Sequence, residues 1–252
     1  MHEHANRLIY AADANFNDCS SIQGAIEKAQ RILEETKQAF SGLNITLKGN
    51  TIFRLLEASA ITSVAAEGIG IFADFKLFDV QSTIENDDSW LGLIPGIKIL
   101  TVAESCHSQV FYNLEKNLPE VIIAPVGPLT DLTDEEFDRR GDGSRTEAVK
   151  AFFARVEELP ATGVVCSPAD LRLAPLDFAN GREIITPAIR PLYTFVENDS
   201  NAVNALTPRK AILSGSTRLV VGSPIRHQND LRGNALRILD EIGEALIERN
   251  SI

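Results

Sequence analysis

The sequence has no run of basic residues. Its 24 Lys and Arg stand against 35 Asp and Glu, a formal net charge of −11. An acidic chain without a cationic stripe is a poor partner for nucleic acid or an anionic membrane surface. An anionic substrate would have to be drawn in by a few local cations and backbone N–H groups. No stretch approaches the ~20 apolar residues of a membrane span. The opening Met1-His2-Glu3-His4 lacks the apolar core of a signal peptide and reads as a floppy terminus. Cysteine is scarce: Cys19, Cys106 and Cys166 are an odd number without close pairing. That fits a reducing compartment better than a disulfide framework. Cys106 and Cys166 adjoin apolar runs and read as small buried hydrophobes. The expected location is the cytoplasm. No linker rich in Pro, Gly or Ser divides the chain, and no strong repeat runs through it. With 252 residues and 44% hydrophobic content, residues 1–252 are expected to form one domain around one sizeable core.

What is present is a regular alternation. Short apolar, β-branched runs occur at Leu8–Asp13, Ile45–Gly49, Ile69–Phe75, Ile97–Ala103, Val121–Val126, Gly163–Ser167, Glu183–Ala188 and Arg218–Gly222. Between most of them apolar residues recur at three- and four-residue spacing, as at Ile26, Ile32 and Leu33, and at Leu231, Leu236, Ile238, Leu239, Ile242 and Leu246. Alternating strands and helices predict parallel strands with helical crossovers. Eight such units in this length predict an α/β fold, the (β/α)8 TIM barrel. Asp18 or Ser20 is placed to cap the first helix, and Ser167-Pro168 and Thr207-Pro208 to open later ones. The stretch Leu192–Leu206 is long for a βα loop, a length typical of functional lids. Trp90 and the twelve phenylalanines scatter as core residues do.

The sharpest chemical feature is Asp74-Phe75-Lys76-Leu77-Phe78-Asp79, at the end of the third strand. Side chains two apart on a strand share a face, so Asp74 and Lys76 are expected to point together into the barrel mouth. Ile71, Ala73 and Phe75 then pack on the helical layer. Buried charges are costly unless paired or used. Lys48 ends the neighbouring strand, and Asp79 lies just beyond this one. The expectation is an alternating Lys48, Asp74, Lys76, Asp79 cluster on the face where TIM barrels carry their chemistry. On charge alone, a structural ion-pair network at the strand ends is a second reading.

This set resembles the orotidine 5′-phosphate decarboxylase family, and the likeness runs through nearly the whole chain. Ala11-Ala12-Asp13 is similar to the family's first-strand aspartate motif, and Leu47-Lys48-Gly49 to its second-strand lysine. Asp74 through Thr83 is similar to its Asp-x-Lys-x-x-Asp signature and following threonine. Gly163-Val164-Val165-Cys166-Ser167 is similar to its sixth strand. Thr186-Pro187-Ala188-Ile189-Arg190-Pro191 is similar to its Thr-Pro-Gly-Ile-Arg-Pro motif, and Val220-Val221-Gly222-Ser223-Pro224-Ile225 to its Gly-Arg-Pro-Ile motif. The resemblance implies a cofactor-free, metal-free carboxy-lyase that converts orotidine 5′-monophosphate to uridine 5′-monophosphate in de novo pyrimidine synthesis. Loss of CO2 leaves a carbanion at C6 with no cofactor to absorb the electrons, so fixed charges in a dry site must stabilise it. By resemblance Lys76 stands beside the carbanion and delivers the proton. Asp74 crowds the substrate carboxylate and holds Lys76, and Lys48 and Asp79 complete the network. Asp13 and Lys48 reach the ribose. Thr83, Thr130, Pro187, Arg190, Gly222, Ser223 and Arg226 join the substrate-binding set. A homodimer with shared sites is implied, Asp79 and Thr83 coming from the partner subunit.

The departures gather around phosphate and base. The family's phosphate arginine is here Ser223, and its glutamine after strand seven has no clear counterpart, although Asn201 and Asn204 are near. Asp131 replaces a usual serine, and Gln81 and Ser82 replace proline and asparagine. Arg226 is placed to reach back towards the site, and backbone N–H groups near Gly222 offer an anion site at a helix start. Within the superfamily the alternative is a sugar-phosphate lyase, which usually needs a divalent metal. The alternative from another class is a nucleotide-sensing or otherwise non-catalytic barrel. Glu104 and His107 form a helical i, i+3 pair but fall short of the three ligands a metal requires. Gly68-Ile69-Gly70 precedes a strand and is no dinucleotide fingerprint.

Overall fold

The computed structural model describes residues 3–127, 135, 137, 139, 143–194 and 206–251. Parallel strands β1 (Leu8–Ala11), β2 (Thr46–Gly49), β3 (Gly70–Leu77), β4 (Ile97–Ala103), β5 (Ile122–Val126), β6 (Gly163–Val165), β7 (Glu183–Thr186) and β8 (Arg218–Val221) form a closed barrel in chain order. β8 returns to β1 through the pairs Leu8 with Leu219 and Tyr10 with Val221. The expected strands are all present and differ only at their ends, where residues such as Asp13 and Ala188 leave the ladder to form the mouth.

Helices α1 (Ile22–Phe40), α2 (Thr51–Leu55), α3 (Ala58–Ala66), α4 (Gln81–Leu91), α5 (Ser108–Asn117), α6 (Arg145–Glu157), α7 (Pro168–Leu171), α8 (Pro208–Leu213) and α9 (Leu231–Arg249) follow the strands. Ser167 and Thr207 cap α7 and α8 as expected, accepting from Asp170 N and Lys210 N. The cap of α1 is neither Asp18 nor Ser20. The helix begins at Ile22, so Ser21 stands at the cap and accepts from Gly24 N at 3.1 Å. Asp18 lies too far upstream and pairs with Lys28 at 2.7 Å.

Strand alternation sorts the core into two layers. Ile9, Phe72, Ile99, Ala124, Ile185 and Val220 fill the barrel interior. Leu8, Tyr10, Ile71, Ala73 and Leu100 point outward and pack against helical residues such as Leu33, Phe153 and Ile238. The half-buried Phe75 joins that outer layer. Among the described residues Trp90 and one phenylalanine depart from the core expectation: Phe78 is 72% and Trp90 42% exposed. His4 is docked instead of floppy, its Nε2 2.7 Å from the Leu239 carbonyl, over Gly243, where a Cβ would meet the ring at 2.8 Å. No helix among the described residues is long and apolar enough to cross a membrane.

Candidate active site

The site stands where β1, β2 and β3 end. Asp74 follows Phe72 on the inner face of β3 and is 5% exposed. Its carboxylate is held on three sides: Oδ2 by Lys48 Nζ at 2.8 Å, Oδ1 by Lys76 Nζ at 2.8 Å and by the Thr101 hydroxyl at 3.0 Å. Lys48 Nζ also donates to Asp13 Oδ2 at 2.6 Å, while Asp13 Oδ1 accepts from Asn50 N at 3.1 Å. The result is a continuous chain, Asp13–Lys48–Asp74–Lys76, with alternating charges. Burial alone would raise the Asp74 carboxyl, but Lys48 and the hydrogen bonds from both lysines outweigh it and hold it below the usual carboxylate range. Burial would likewise lower the Lys48 ammonium, and Asp74 and Asp13 more than reverse that.

Lys76 does not simply continue the pleat. Its φ is +48°, and the β3–β4 register shifts between Ala73 and Leu77. A side chain in left-handed backbone costs about 1–3 kcal/mol and persists only where its surroundings over-determine it. Here Thr101 Oγ1 accepts from Lys76 N at 2.9 Å while donating to Asp74. Thr101 therefore positions both charged partners. Its signal in the sequence is faint: a polar residue sharing an inner face with Ile99.

These charges border a cavity of about 270 Å³. Lys48, Asp74 and Lys76 line it together with the apolar Phe72, Val126, Phe152, Val165, Pro187 and Val220. Phe152 can lie against the strand end because residue 127 is glycine; a Cβ there would sit 2.1 Å from its ring. Asp170 also lines the cavity, both carboxylate oxygens taken by Arg145 Nη2 at 2.7 and 2.8 Å. Nothing in the sequence marks this ion pair, whose members stand 25 residues apart. Beside it the Cys166 thiol is pushed up to about 12 by burial and then by Asp170. It stays a thiol at neutral pH, in keeping with a small buried hydrophobe.

Asp79 is not in this network. It is exposed, and its Oδ1 accepts from Val80 N at 2.7 Å. The expected four-residue cluster is therefore replaced, within one subunit, by a chain in which Asp13 takes the fourth place, because the loop after β3 carries Asp79 outward. Thr83 is exposed on α4 on the same flank. Ser223 is exposed at the end of β8 after Gly222. Arg226 folds back across the mouth, its Nη1 donating to the Ala11 carbonyl at 3.0 Å. Arg190 is half-buried and its Nη1 donates to the Ile189 carbonyl at 3.2 Å, so nothing ties it to the charged chain. The expected helix start behind Gly222 is only a 3₁₀ turn, His227–Asn229; α9 begins later, at Leu231. Glu104 and His107 do not share a helix: they lie in the β4–α5 turn, where His107 caps α5. Among the described residues no group of three potential metal ligands occurs. Thr130, Asp131, Asn201 and Asn204, and most of Leu192–Leu206, lie outside the described residues.

No protein-family model matches the chain. Among curated proteins it is similar to orotidine 5′-phosphate decarboxylases from Desulfosudis oleivorans, 30% identical over 188 residues, 72% of this chain and 75% of that one, and from Caulobacter vibrioides, 33% identical over 184 residues, 70% and 76%. Among solved structures it resembles an orotidine 5′-phosphate decarboxylase from Lactobacillus acidophilus, with a TM-score of 0.74, 22% identity, and 94% of this chain and 99% of that one covered. An uncharacterised conserved protein from Geobacillus kaustophilus has a TM-score of 0.70 at 17% identity, covering 93% and 99%. The barrel, its ordered signatures and this level of identity over three quarters of the relatives lead to one statement: the chain belongs to the orotidine 5′-phosphate decarboxylase family, a family of carboxy-lyases.

Proposed function

We propose that the chain decarboxylates orotidine 5′-monophosphate to uridine 5′-monophosphate in pyrimidine synthesis, without a cofactor. The observation that carries this reading is the Asp13–Lys48–Asp74–Lys76 chain bordering a cavity with an apolar lining. The pyrimidine lies on the apolar lining with its carboxylate near Asp74. The C6–carboxyl bond breaks, CO2 leaves, and the electron pair stays on C6. The Lys76 ammonium, fixed beside it, stabilises that charge and then transfers a proton from Nζ to C6. Solvent restores the Lys76 proton. Asp74 repels the substrate carboxylate in the ground state and aims Lys76. Lys48 holds Asp74 and, with Asp13, the ribose. Pro187 belongs to the base wall, Gly222, Ser223 and Arg226 to the phosphate end, with Arg190 and Thr130 as further contacts carried from the family. Asp79 and Thr83 act on the partner subunit's site in a homodimer.

The test is the fall in ultraviolet absorbance as orotidine 5′-monophosphate is converted, with and without chelator. Turnover that survives chelator is the expected result. No turnover by well-folded protein defeats the reading. A second reading, a nucleotide-sensing barrel, is favoured by one observation: the exposed Ser223 supplies no cation where the family has its phosphate arginine. Calorimetric binding of uridine 5′-monophosphate without turnover would select it.

A further inference from the structure

We propose a second binding site, for a phosphate group, at the opposite, N-terminal end of the barrel. Arg7 precedes β1, Arg182 precedes β7, and Arg218 opens β8. Their side chains, with Asn6, Glu183 and Thr217, line a cavity of about 270 Å³. Three guanidiniums here face one carboxylate, in a chain whose net charge is −11. That carboxylate is already engaged: Glu183 Oε1 accepts from Arg218 Nη2 at 3.0 Å, and Oε2 accepts from the Thr217 hydroxyl. Arg7 Nη1 donates only to the Thr217 carbonyl at 3.1 Å. Arg182 donates to the Phe178 carbonyl at 3.0 Å and lies over the Phe178 ring. Among the described residues neither Arg7 nor Arg182 has a carboxylate within ion-pair distance.

The second observation concerns buried donors. Buried polar groups are nearly always hydrogen-bonded. Among the described residues the side-chain nitrogens that are buried without a partner are Nε of Arg182 and Nε of Arg218; both belong to guanidiniums lining this cavity, though the Nε atoms themselves are closed off from it, so a bound anion would be gripped by the terminal N–H groups. Burial and then the neighbouring Arg249 lower the Arg7 guanidinium; Glu183 opposes them and Arg218 adds to them. An oxyanion offers several acceptors to planar donor forks that present paired N–H groups. The space exceeds an ion's need, since one water's share of liquid volume is about 30 Å³. It also adjoins a groove of about 820 Å³ that shares Asn6, Glu183 and Arg218 and is bordered by Lys98. A phosphate monoester fits: its phosphate among the arginines, its organic part in the groove. The site stands at the far end of the strands from Lys76 and does not depend on the decarboxylase reading.

The test is calorimetric titration of inorganic phosphate, then ribose 5-phosphate, at low ionic strength. The wild-type chain should bind phosphate, and Arg182→Gln and Arg7→Gln should each weaken binding at least tenfold. Arg226→Ala, at the other mouth, should leave that component in place, and Arg182→Gln should leave decarboxylation kinetics unchanged. Arg182 makes no ion pair among the described residues, so its variant is expected to melt within a few degrees of wild type. Tighter binding of the ester, lost in Arg182→Gln, identifies an ester ligand; equal binding identifies the free anion. Phosphate and ester binding that ignores both arginine substitutions, or is absent at millimolar concentration, overturns the proposal.

Discussion

At the scale of single residues, the proposed chemistry rests on Lys76 and on what fixes it. Lys76→Ala removes the proposed proton donor and one of the ammonium partners of Asp74, but no core volume, because the side chain is 41% exposed. The expected result is a loss of several decades in kcat with an unchanged circular dichroism spectrum; less than tenfold would end the assignment. A second expectation follows from Asp74. Its folded pKa is depressed, so its ion pairs stabilise the fold above the unfolded value of about 4 and are lost as pH falls through the folded value. Lys48 is shifted up, so its contribution is present below the unfolded value of about 10.4 and lost as pH rises through the folded one. Thermal melts of Asp74→Asn should therefore fall less steeply than wild type as pH drops below about 5; parallel curves would remove the linkage. The charged residues themselves were legible in the sequence, because ionisable groups at strand ends stand out against apolar runs. Thr101 and the Arg145–Asp170 pair were not: a lone threonine in an apolar strand looks like propensity, and an ion pair across 25 residues exists only once β6 and α6 are in place.

At the scale of elements, the β7 and β8 ends carry the departures from the family. Ala188 occupies the glycine position of the Thr-Pro-Gly-Ile-Arg-Pro motif and has φ of +59°. Left-handed backbone costs a non-glycine residue about 1–2 kcal/mol, and glycine returns about 0.4–1 kcal/mol of that as unfolded-state entropy. Ala188→Gly should stabilise the fold by several tenths of a kcal/mol to about 1 kcal/mol in urea unfolding; a destabilised variant would refute the strain. At the end of β8, Ser223→Arg should lower KM for orotidine 5′-monophosphate, since a charge-assisted contact is worth about 1.5–3 kcal/mol. Arg226→Ala should raise KM by a decade or more if Arg226, now held on the Ala11 carbonyl, has taken over the phosphate. If neither changes KM, and unphosphorylated orotidine binds equally well, the phosphate end is misplaced. The strands were legible because their periodicity repeats eight times. The cap of α1 was misread by one residue, since Ser20 and Ser21 are chemically equal and only the helix start chooses between them. The bulge at Lys76 has no local signal; tertiary contacts with Thr101 impose it.

At the scale of the whole molecule, the proposed homodimer turns on Asp79. Asp79 lies outside the charged chain, on a flank where Phe78 is 72%, Val80 66% and Leu93 80% exposed. Large apolar side chains grouped on a surface mark an interaction face. A groove of about 570 Å³ runs along it, lined by Phe78, Asp79, Asp87 and Trp90, and Lys76 borders both this groove and the inner cavity. Burial, and then Asp79, push the Asp87 carboxyl up. The proposed homodimer would set a second copy, related by a two-fold axis, against this flank. In the proposed homodimer an isologous contact would cover the apolar flank of each subunit and carry each Asp79 towards the other's Lys76. The mixing experiment follows from that geometry. Lys76→Ala and Asp79→Ala subunits should each be inactive as homodimers. In a heterodimer one site combines both losses, and the other draws an intact Lys76 from one chain and an intact Asp79 from the other. Mixed after verified subunit exchange, the pair should recover up to one quarter of wild-type activity per total subunit, because about half the dimers are mixed and half their sites intact. Were Asp79 to act within its own subunit, every site in every dimer would carry a lesion and mixing would restore nothing. Sedimentation establishes the dimer, and the recovered rate separates a site completed by a partner from one that each barrel completes alone.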